Sequence, residues 1–177
     1  ADYLMNLRAL QDLSIYVDEH FLKLAISNLI KHIEQFITEK IDQSNPSTKK
    51  LIAYSLHDSN LSPMLLLLDL MNFDCSVRQM TTETPLNCGL TPPYSANMLF
   101  EVNQDSSGHI FISTRYNGEY IDLCKHTHHG RKVCKLEQFV EKINKGTYDN
   151  EAEMEEFCKL PEGAGRRLRM FENKSRN

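Results

Sequence analysis

Lys49-Lys50-Leu51-Ile52-Ala53-Tyr54-Ser55-Leu56-His57-Asp58-Ser59-Asn60 is the stretch that decides the fold. Its middle, residues 51–56, is short, mostly apolar and bounded by polar residues, which predicts a strand buried on both faces. His57 and Asp58 fall where that strand ends. Polar, titratable residues at the carboxyl end of a buried strand are the usual place for a site in an open α/β sheet. The sequence therefore places its candidate site at these two residues.

The flanking sequence predicts alternating helices and strands. Ser59, Asn60, Ser62 and Pro63 are typical of a helix cap and first turn, and they predict a helix that runs to about Met71. Hydrophobic periodicity predicts further helices over 4–17, 21–37 and 136–143, and strands over 97–103, 109–116 and 119–123. Asn-Gly at 117–118 predicts a type I′ hairpin, which we expect to pack near the His57-Asp58 strand.

Composition is that of a globular protein. Of the 177 residues, 41% are hydrophobic and 25% are charged, which excludes a fibre and a disordered chain. The net charge of −4 gives no reason to expect a nucleic-acid partner. The sequence has no apolar run of the roughly 18 residues that a membrane span requires.

Three sequence features together resemble the histidine acid phosphatases, the family of the prostatic and lysosomal acid phosphatases. The strand-His57-Asp58-helix pattern is similar to the second catalytic motif of that family. Leu90-Thr91-Pro92-Pro93-Tyr94-Ser95-Ala96 and Leu99-Phe100-Glu101-Val102 are similar to its proline-proline-tyrosine loop and next strand. Leu7-Arg8-Ala9-Leu10 with Leu13-Ser14 lies where the family has a similar helix, so the resemblance extends over about residues 4–158.

The resemblance implies a three-layer α/β/α core of the histidine-phosphatase type, of which this chain is the second half. We expect the end of a helical cap region over 1–20, the C-terminal half of the core over 21–160 and a basic tail over 161–177. The family's nucleophilic histidine lies in an arginine-histidine-glycine motif on the first core strand. No such motif precedes His57. We therefore expect the C-terminal part of a longer protein, or one chain of a cleaved one.

The resemblance also implies roles for the two central residues. Asp58 would be the acid that protonates the departing oxygen of a phosphate monoester, and His57 would help to hold the phosphate. Neither a metal nor a cofactor is implied. On spacing alone, Asp58 could instead cap the helix that follows it.

Two functions remain open at this point. The first is hydrolysis of phosphate monoesters through a phosphohistidine, with the nucleophile supplied by an N-terminal part of the protein or by a companion chain; this chain alone would be inactive. The second is an inactive, phosphatase-like structural or assembly subunit, which is favoured by the departure of Leu56 and Asn60 from the family pattern. A homodimer or larger assembly is compatible with both.

Five cysteines indicate an oxidising compartment. The resemblance implies a short-range disulfide between Cys124 and Cys134, and it pairs Cys158 with the missing half. Cys75 and Cys88 could close the long loop between them. Five reduced thiols in a cytosolic protein are the alternative.

The remaining motifs are weaker. His128-His129-Gly130-Arg131 follows no buried strand, and we interpret it as a surface loop; His126, His128 and His129 could bind a metal adventitiously. Asn173 is the candidate glycosylation acceptor, whereas the matching tripeptide at Asn60 adjoins the candidate site. A lysosomal, secretory-pathway or extracellular location is expected.

Overall fold

A computed structural model describes residues 14–42, 44, 49–79, 82, 88 and 92–159. The chain divides into two units, residues 1–147 and 148–177. The helix expected over 4–17 lies mostly outside the described residues. Its described end, Ile15–Val17, is a 3₁₀ turn.

The helices of the first unit are amphipathic or buried. They are α1 (Glu19–Ile41), α2 (Asp58–Leu67), α3 (Phe73–Gln79) and α4 (Leu136–Asn144). Asp18 caps α1 by accepting hydrogen bonds from the backbone N–H groups of His20 and Phe21. The second unit contains α5 (Glu151–Cys158), where Asn150 accepts from the N–H of Glu153 at 2.9 Å.

Five strands of the described residues form one antiparallel sheet. They are β1 (Met98–Gln104), β2 (Ile110–Tyr116), β3 (Glu119–Ile121), β4 (His126–His128) and β5 (Arg131–Lys135). Strand β2 lies in the middle, with β1 on one side and with β3 and β5 on the other. Residues 111–114 of β2 are buried without alternation, the pattern of a strand that is covered on both faces of the sheet. Helices packed on this antiparallel sheet, in a combination of helix and strand, confirm the predicted α/β class.

The core lies where α1, α2 and α4 meet the sheet. Ile26, Ile30, Met64, Ile112 and Phe139 are among its buried residues, and the ring of Phe139 packs edge-on against Phe100 at 5.1 Å. A second cluster joins the end of α2 to β2 through Leu65, Met71 and Tyr116. Burial raises the pKa of the Tyr116 phenol.

The prediction of a buried strand over 51–56 is wrong for the described chain. These residues have no strand partner, and Leu51 is 70% exposed while Leu56 is 47% exposed. A parallel central strand needs a hydrogen-bonded neighbour on each side, and the described residues place none beside this segment. Residues 51–57 are therefore non-helical and have no sheet pairing among the described residues. We call them the extended segment.

The interpretation of residues 128–131 as a surface loop is also wrong. Strands β4 and β5 form a hairpin there, with His126 opposite Val133 and His128 opposite Arg131. The turn residues His129 and Gly130 both have positive φ, at 48° and 77°. The turn is His-Gly instead of the Asn-Gly or Asp-Gly pair that usually signals a two-residue hairpin, so the usual signal is missing from the sequence.

The hairpin expected at residues 116–119 is confirmed. Tyr116 lies opposite Glu119, and Asn117 and Gly118 have φ values of 50° and 89°, as a type I′ turn requires. The Asn117 side chain also accepts a hydrogen bond from the backbone N–H of Asn97 at 2.9 Å. This bond ties the turn to the residue just before β1.

Candidate active site

His57 and Asp58 lie at the beginning of α2, and both are exposed. His57 is the N-cap, with extended backbone angles (φ −100°, ψ 168°), and its carbonyl accepts from the N–H groups of Asn60 and Leu61 at 3.0 and 3.2 Å. Asp58 is the first residue of the helix, so it is not the cap residue. The alternative that Asp58 is the cap residue of this helix is therefore wrong.

The Asp58 carboxylate has one hydrogen bond within its own turn. Its Oδ1 accepts from the backbone N–H of Ser59 at 2.8 Å. Exposure leaves the other carboxylate oxygen accessible, and the partial positive charge at the start of a helix favours an acidic side chain there. The carboxyl group can therefore exchange a proton with a molecule outside the helix.

Helix α2 begins earlier than the sequence predicts. Pro63 was expected in the first turn, but it is the sixth helical residue and is buried. Asn60 stabilises this earlier start, because its side-chain oxygen accepts a hydrogen bond from the backbone N–H of His57 at 3.3 Å. A side chain that reaches back from the third helical residue to the cap residue is half of a capping box.

A large cavity of about 1130 Å³ adjoins the two candidate residues. Its lining has three parts: apolar side chains of α1, residues 50–58 with the first turns of α2, and residues 92–102, which include most of β1. Lys40 and Lys50 are the lysines of this lining, and no arginine of the described residues belongs to it. Besides Asp58, the charged side chains of the lining are therefore these two lysines and Glu101, and His57 is titratable.

Three lining residues were missed as site residues by the sequence analysis. Lys40 lies in the last turn of α1 and Lys50 directly precedes the extended segment, while Tyr94 lies in the proline-proline-tyrosine loop and is 99% exposed. Tyr94 could have been found, since it belongs to a quoted motif. The two lysines gave no signal, because isolated lysines next to loops are ordinary in soluble proteins.

The cysteines form two disulfides away from His57 and Asp58. Cys75 is joined to Cys88, and Cys124 to Cys134, each with its Cα atoms 5.2 Å apart. These are the pairs expected from the sequence. Cys158 is exposed and free in the described chain.

Other candidate sites are less developed. The described ranges hold no group of three or more His, Cys, Asp or Glu side chains that could bind a metal ion. Asn173 lies outside the described residues. Each described helix is too short or too polar to cross a membrane.

Comparison with known proteins identifies the lineage of this site. The family model described as "Histidine phosphatase superfamily (branch 2)" matches residues 15–120, more than half of the chain. The chain belongs to branch 2 of the histidine phosphatase superfamily. The matched range contains the His57-Asp58 turn, the cavity lining and strands β1 and β2. The resemblance seen in the sequence is thereby confirmed.

One curated relative from this superfamily is the prostatic acid phosphatase of Rattus norvegicus. It is 28% identical over 113 residues, which cover 59% of this chain and 24% of the relative. The chain thus spans about a quarter of that relative's length.

Proposed function

We propose that this chain is the C-terminal part of an acid phosphatase that hydrolyses phosphate monoesters through a phosphohistidine. The observation that carries the proposal is the exposed His57-Asp58 pair, at a helix start beside a large cavity, in a member of this superfamily. An exposed carboxyl group next to space for a substrate is what a general acid needs.

The proposed reaction has two steps. A histidine outside this chain attacks phosphorus, the bond to the ester oxygen breaks, and Asp58 gives its proton to the departing alkoxide. Water then attacks the phosphohistidine, which releases inorganic phosphate and the free histidine, and the proton lost by the water returns to Asp58. His57 contacts the phosphate, and no metal ion is needed.

The nucleophile and most phosphate donors come, in this proposal, from an N-terminal part of the protein or from a companion chain. Two observations support this. Residues 51–57 have no strand partner, and β1 pairs only with β2 among the described strands. The 51–57 segment and the edge of β1 that faces away from β2 have no strand partner among the described residues, and residues of both elements line the 1130 Å³ cavity. We propose that a strand carrying the nucleophilic histidine enters there and pairs with them.

The same proposal covers location. The two disulfides are compatible with an oxidising compartment, and the relative's name includes acid phosphatase. We propose that the protein works in the lysosome, in the secretory pathway or outside the cell. Glycosylation at Asn173 and pairing of the free Cys158 with the N-terminal part belong to this proposal.

An inactive subunit is the second candidate function, and Leu56 is the observation that favours it. Its bulky side chain is 47% exposed and lines the cavity directly before His57. A side chain of that size could occupy space that a phosphate requires. In that case the fold would serve assembly and not turnover.

Replacement of Asp58 by Asn tests the proposal in the full-length protein. Asn keeps the shape but cannot donate the proton, so hydrolysis of alkyl phosphates should fall by about 10²- to 10⁴-fold. A nitrophenyl phosphate should lose much less, because its leaving oxygen needs less protonation. Equal losses on both substrates would mean that Asp58 acts through binding or structure. A wild-type protein that hydrolyses neither substrate would establish the inactive subunit.

A further inference from the structure

Asp105 lies at the turn between β1 and β2 and organises that turn. Its Oδ1 accepts hydrogen bonds from the backbone N–H groups of Ser107 and His109, each at 2.9 Å. The turn is closed further by the N–H of Asp105, which donates to the carbonyl of His109 at 3.0 Å. The first carboxylate oxygen is therefore committed to the turn, and only Oδ2 is left for other partners.

The second oxygen faces two imidazole rings from different elements. Nδ1 of His109 lies 3.3 Å from Oδ2 within the same turn. Nε2 of His128, from the β4–β5 hairpin, lies 3.8 Å from the same oxygen. The side chain of Asp105 is only 14% exposed, while that of His109 is 73% exposed. The contact of Asp105 with His128 is therefore the more shielded of the two.

His128 is fixed in its position but has an unused nitrogen. Its ring stacks on Phe111 with 4.2 Å between centroids, and the His129 ring packs edge-on against it at 4.2 Å. Nε2 is buried and has no hydrogen-bond partner among the described residues. A buried polar atom without a partner is costly, and a short approach to Asp105 would remove that cost.

We propose that Asp105 and His128 form a pH-dependent latch between the β1–β2 turn and the β4–β5 hairpin. When His128 takes up a proton, Nε2 becomes an N–H donor and binds Oδ2 of Asp105 in a charge-assisted hydrogen bond. When the proton leaves, the contact opens. The protonation of the imidazole therefore decides whether the turn and the hairpin are joined.

The charges around the pair are consistent with this device. Asp105 is the one carboxylate among the described residues lining the adjoining cavity, whose charged and titratable side chains otherwise are His128, His129 and Arg131. Positive charge on Arg131 or His129 opposes protonation of His128, and His126 precedes it on the same strand. The negative charge of Asp105, with Oδ2 3.8 Å from Nε2 of His128, favours protonation. The Cys124–Cys134 disulfide holds the base of the hairpin, so opening is confined to its tip.

Hydrogen exchange in the full-length protein tests the latch directly. The amides of residues 126–133 should be protected more strongly at pH 5 than at pH 7.5, after correction for the intrinsic pH dependence of exchange. We expect the protection to differ by about tenfold between the two pH values. This change is larger than an exposed ion pair would give and smaller than a buried charge-assisted hydrogen bond would give. Equal protection of the wild type at both pH values overturns the proposal without any variant.

Four variants assign the effect to the pair. His128→Gln and Asp105→Asn should each abolish the pH dependence, and Asn at 105 can still accept the two turn hydrogen bonds. His126→Gln is the matched control on the same strand, and it should retain the wild-type behaviour. Persistence of the pH dependence in His128→Gln, or its loss in His109→Gln but not in His128→Gln, contradicts the proposal.

Discussion

The backbone N–H of His57 donates to the side-chain oxygen of Asn60, while the backbone N–H of Asn60 donates to the carbonyl of His57. This reciprocal pair closes a ring around the cap of α2. It fixes the backbone from which the side chains of His57 and Asp58 project. These two hydrogen bonds give a local structural reason for an asparagine at position 60, where the sequence departs from the family pattern.

Asn60→Ala should destabilise the start of α2 and reduce activity, while Asn60→Asp should preserve both. The hydrogen bond is worth about 0.5–1.5 kcal/mol, and Asp retains the acceptor and suits a helix N-terminus. Exchange of the His57 amide should accelerate in the Ala variant only. Both variants remove the glycosylation tripeptide, so their difference reports the hydrogen bond. Ser59→Ala, at the exposed neighbouring position, is the control. Equal exchange of the His57 amide in Asn60→Ala and Asn60→Asp would contradict this role of the Asn60 side chain.

Gly146 should not tolerate a side chain. A Cβ at this position would lie 2.6 Å from Cδ1 of Ile30 and 2.7 Å from Cδ2 of Leu67. Because Ile30 is fully buried in the core, its methyl group has little room to move. Gly146→Ala should therefore lower the free energy of unfolding by about 1–3 kcal/mol. Gly118→Ala is a useful contrast, because its Cβ meets nothing within 4 Å and its cost would come only from the positive φ.

The local elements could be predicted where the signal is in the adjacent residues. Asn117-Gly118 specifies its turn because few other residues adopt two consecutive positive φ angles. The apolar periodicity of α1 likewise predicts a helix, although the observed helix is longer at both ends. In both cases short-range backbone chemistry decides the structure.

Elements that depend on distant partners could not be predicted in the same way. The apolar pattern of residues 51–56 is that of a central strand, but pairing requires neighbours that the described chain does not place beside it. The contact between Asp105 and His128 joins residues 23 positions apart through a hairpin turn without the usual residues. The two lysines that line the cavity come from different parts of the chain, the last turn of α1 and the residue before the extended segment.

Asp105 should make the stability of the protein depend on acid. Burial raises the pKa of its carboxyl group, but the hydrogen bonds from His109 and Ser107 outweigh burial and hold the pKa below 3.8. The folded state therefore favours the carboxylate. Its contribution is present above about pH 3.8 and is lost as the pH falls through the lowered value.

Thermal unfolding of the full-length protein between pH 5 and pH 2 measures this contribution. Asp105→Asn should be less stable than the wild type at pH 5, and the difference should shrink toward pH 2. Asp122→Asn, at an exposed aspartate, corrects for the loss of one carboxyl group. A wild-type advantage that stays constant down to pH 2 would show that the carboxylate is not the stabilising form.

The 177-residue chain should not be self-sufficient when it is produced alone. The extended segment exposes Leu51, Tyr54 and Leu56, and the cavity beside it is lined largely by apolar side chains of α1 and β1. Unpaired strand segments next to apolar surface favour aggregation.

Size-exclusion chromatography of the isolated chain should therefore show aggregates, and co-expression with the N-terminal part should give a soluble complex. Leu51→Lys with Leu56→Lys should improve the solubility of the isolated chain but weaken the complex, because these side chains would lie on opposite faces of the paired strand and the completed fold would bury both. A wild-type chain that is monodisperse alone and melts cooperatively would show that the cavity needs no partner.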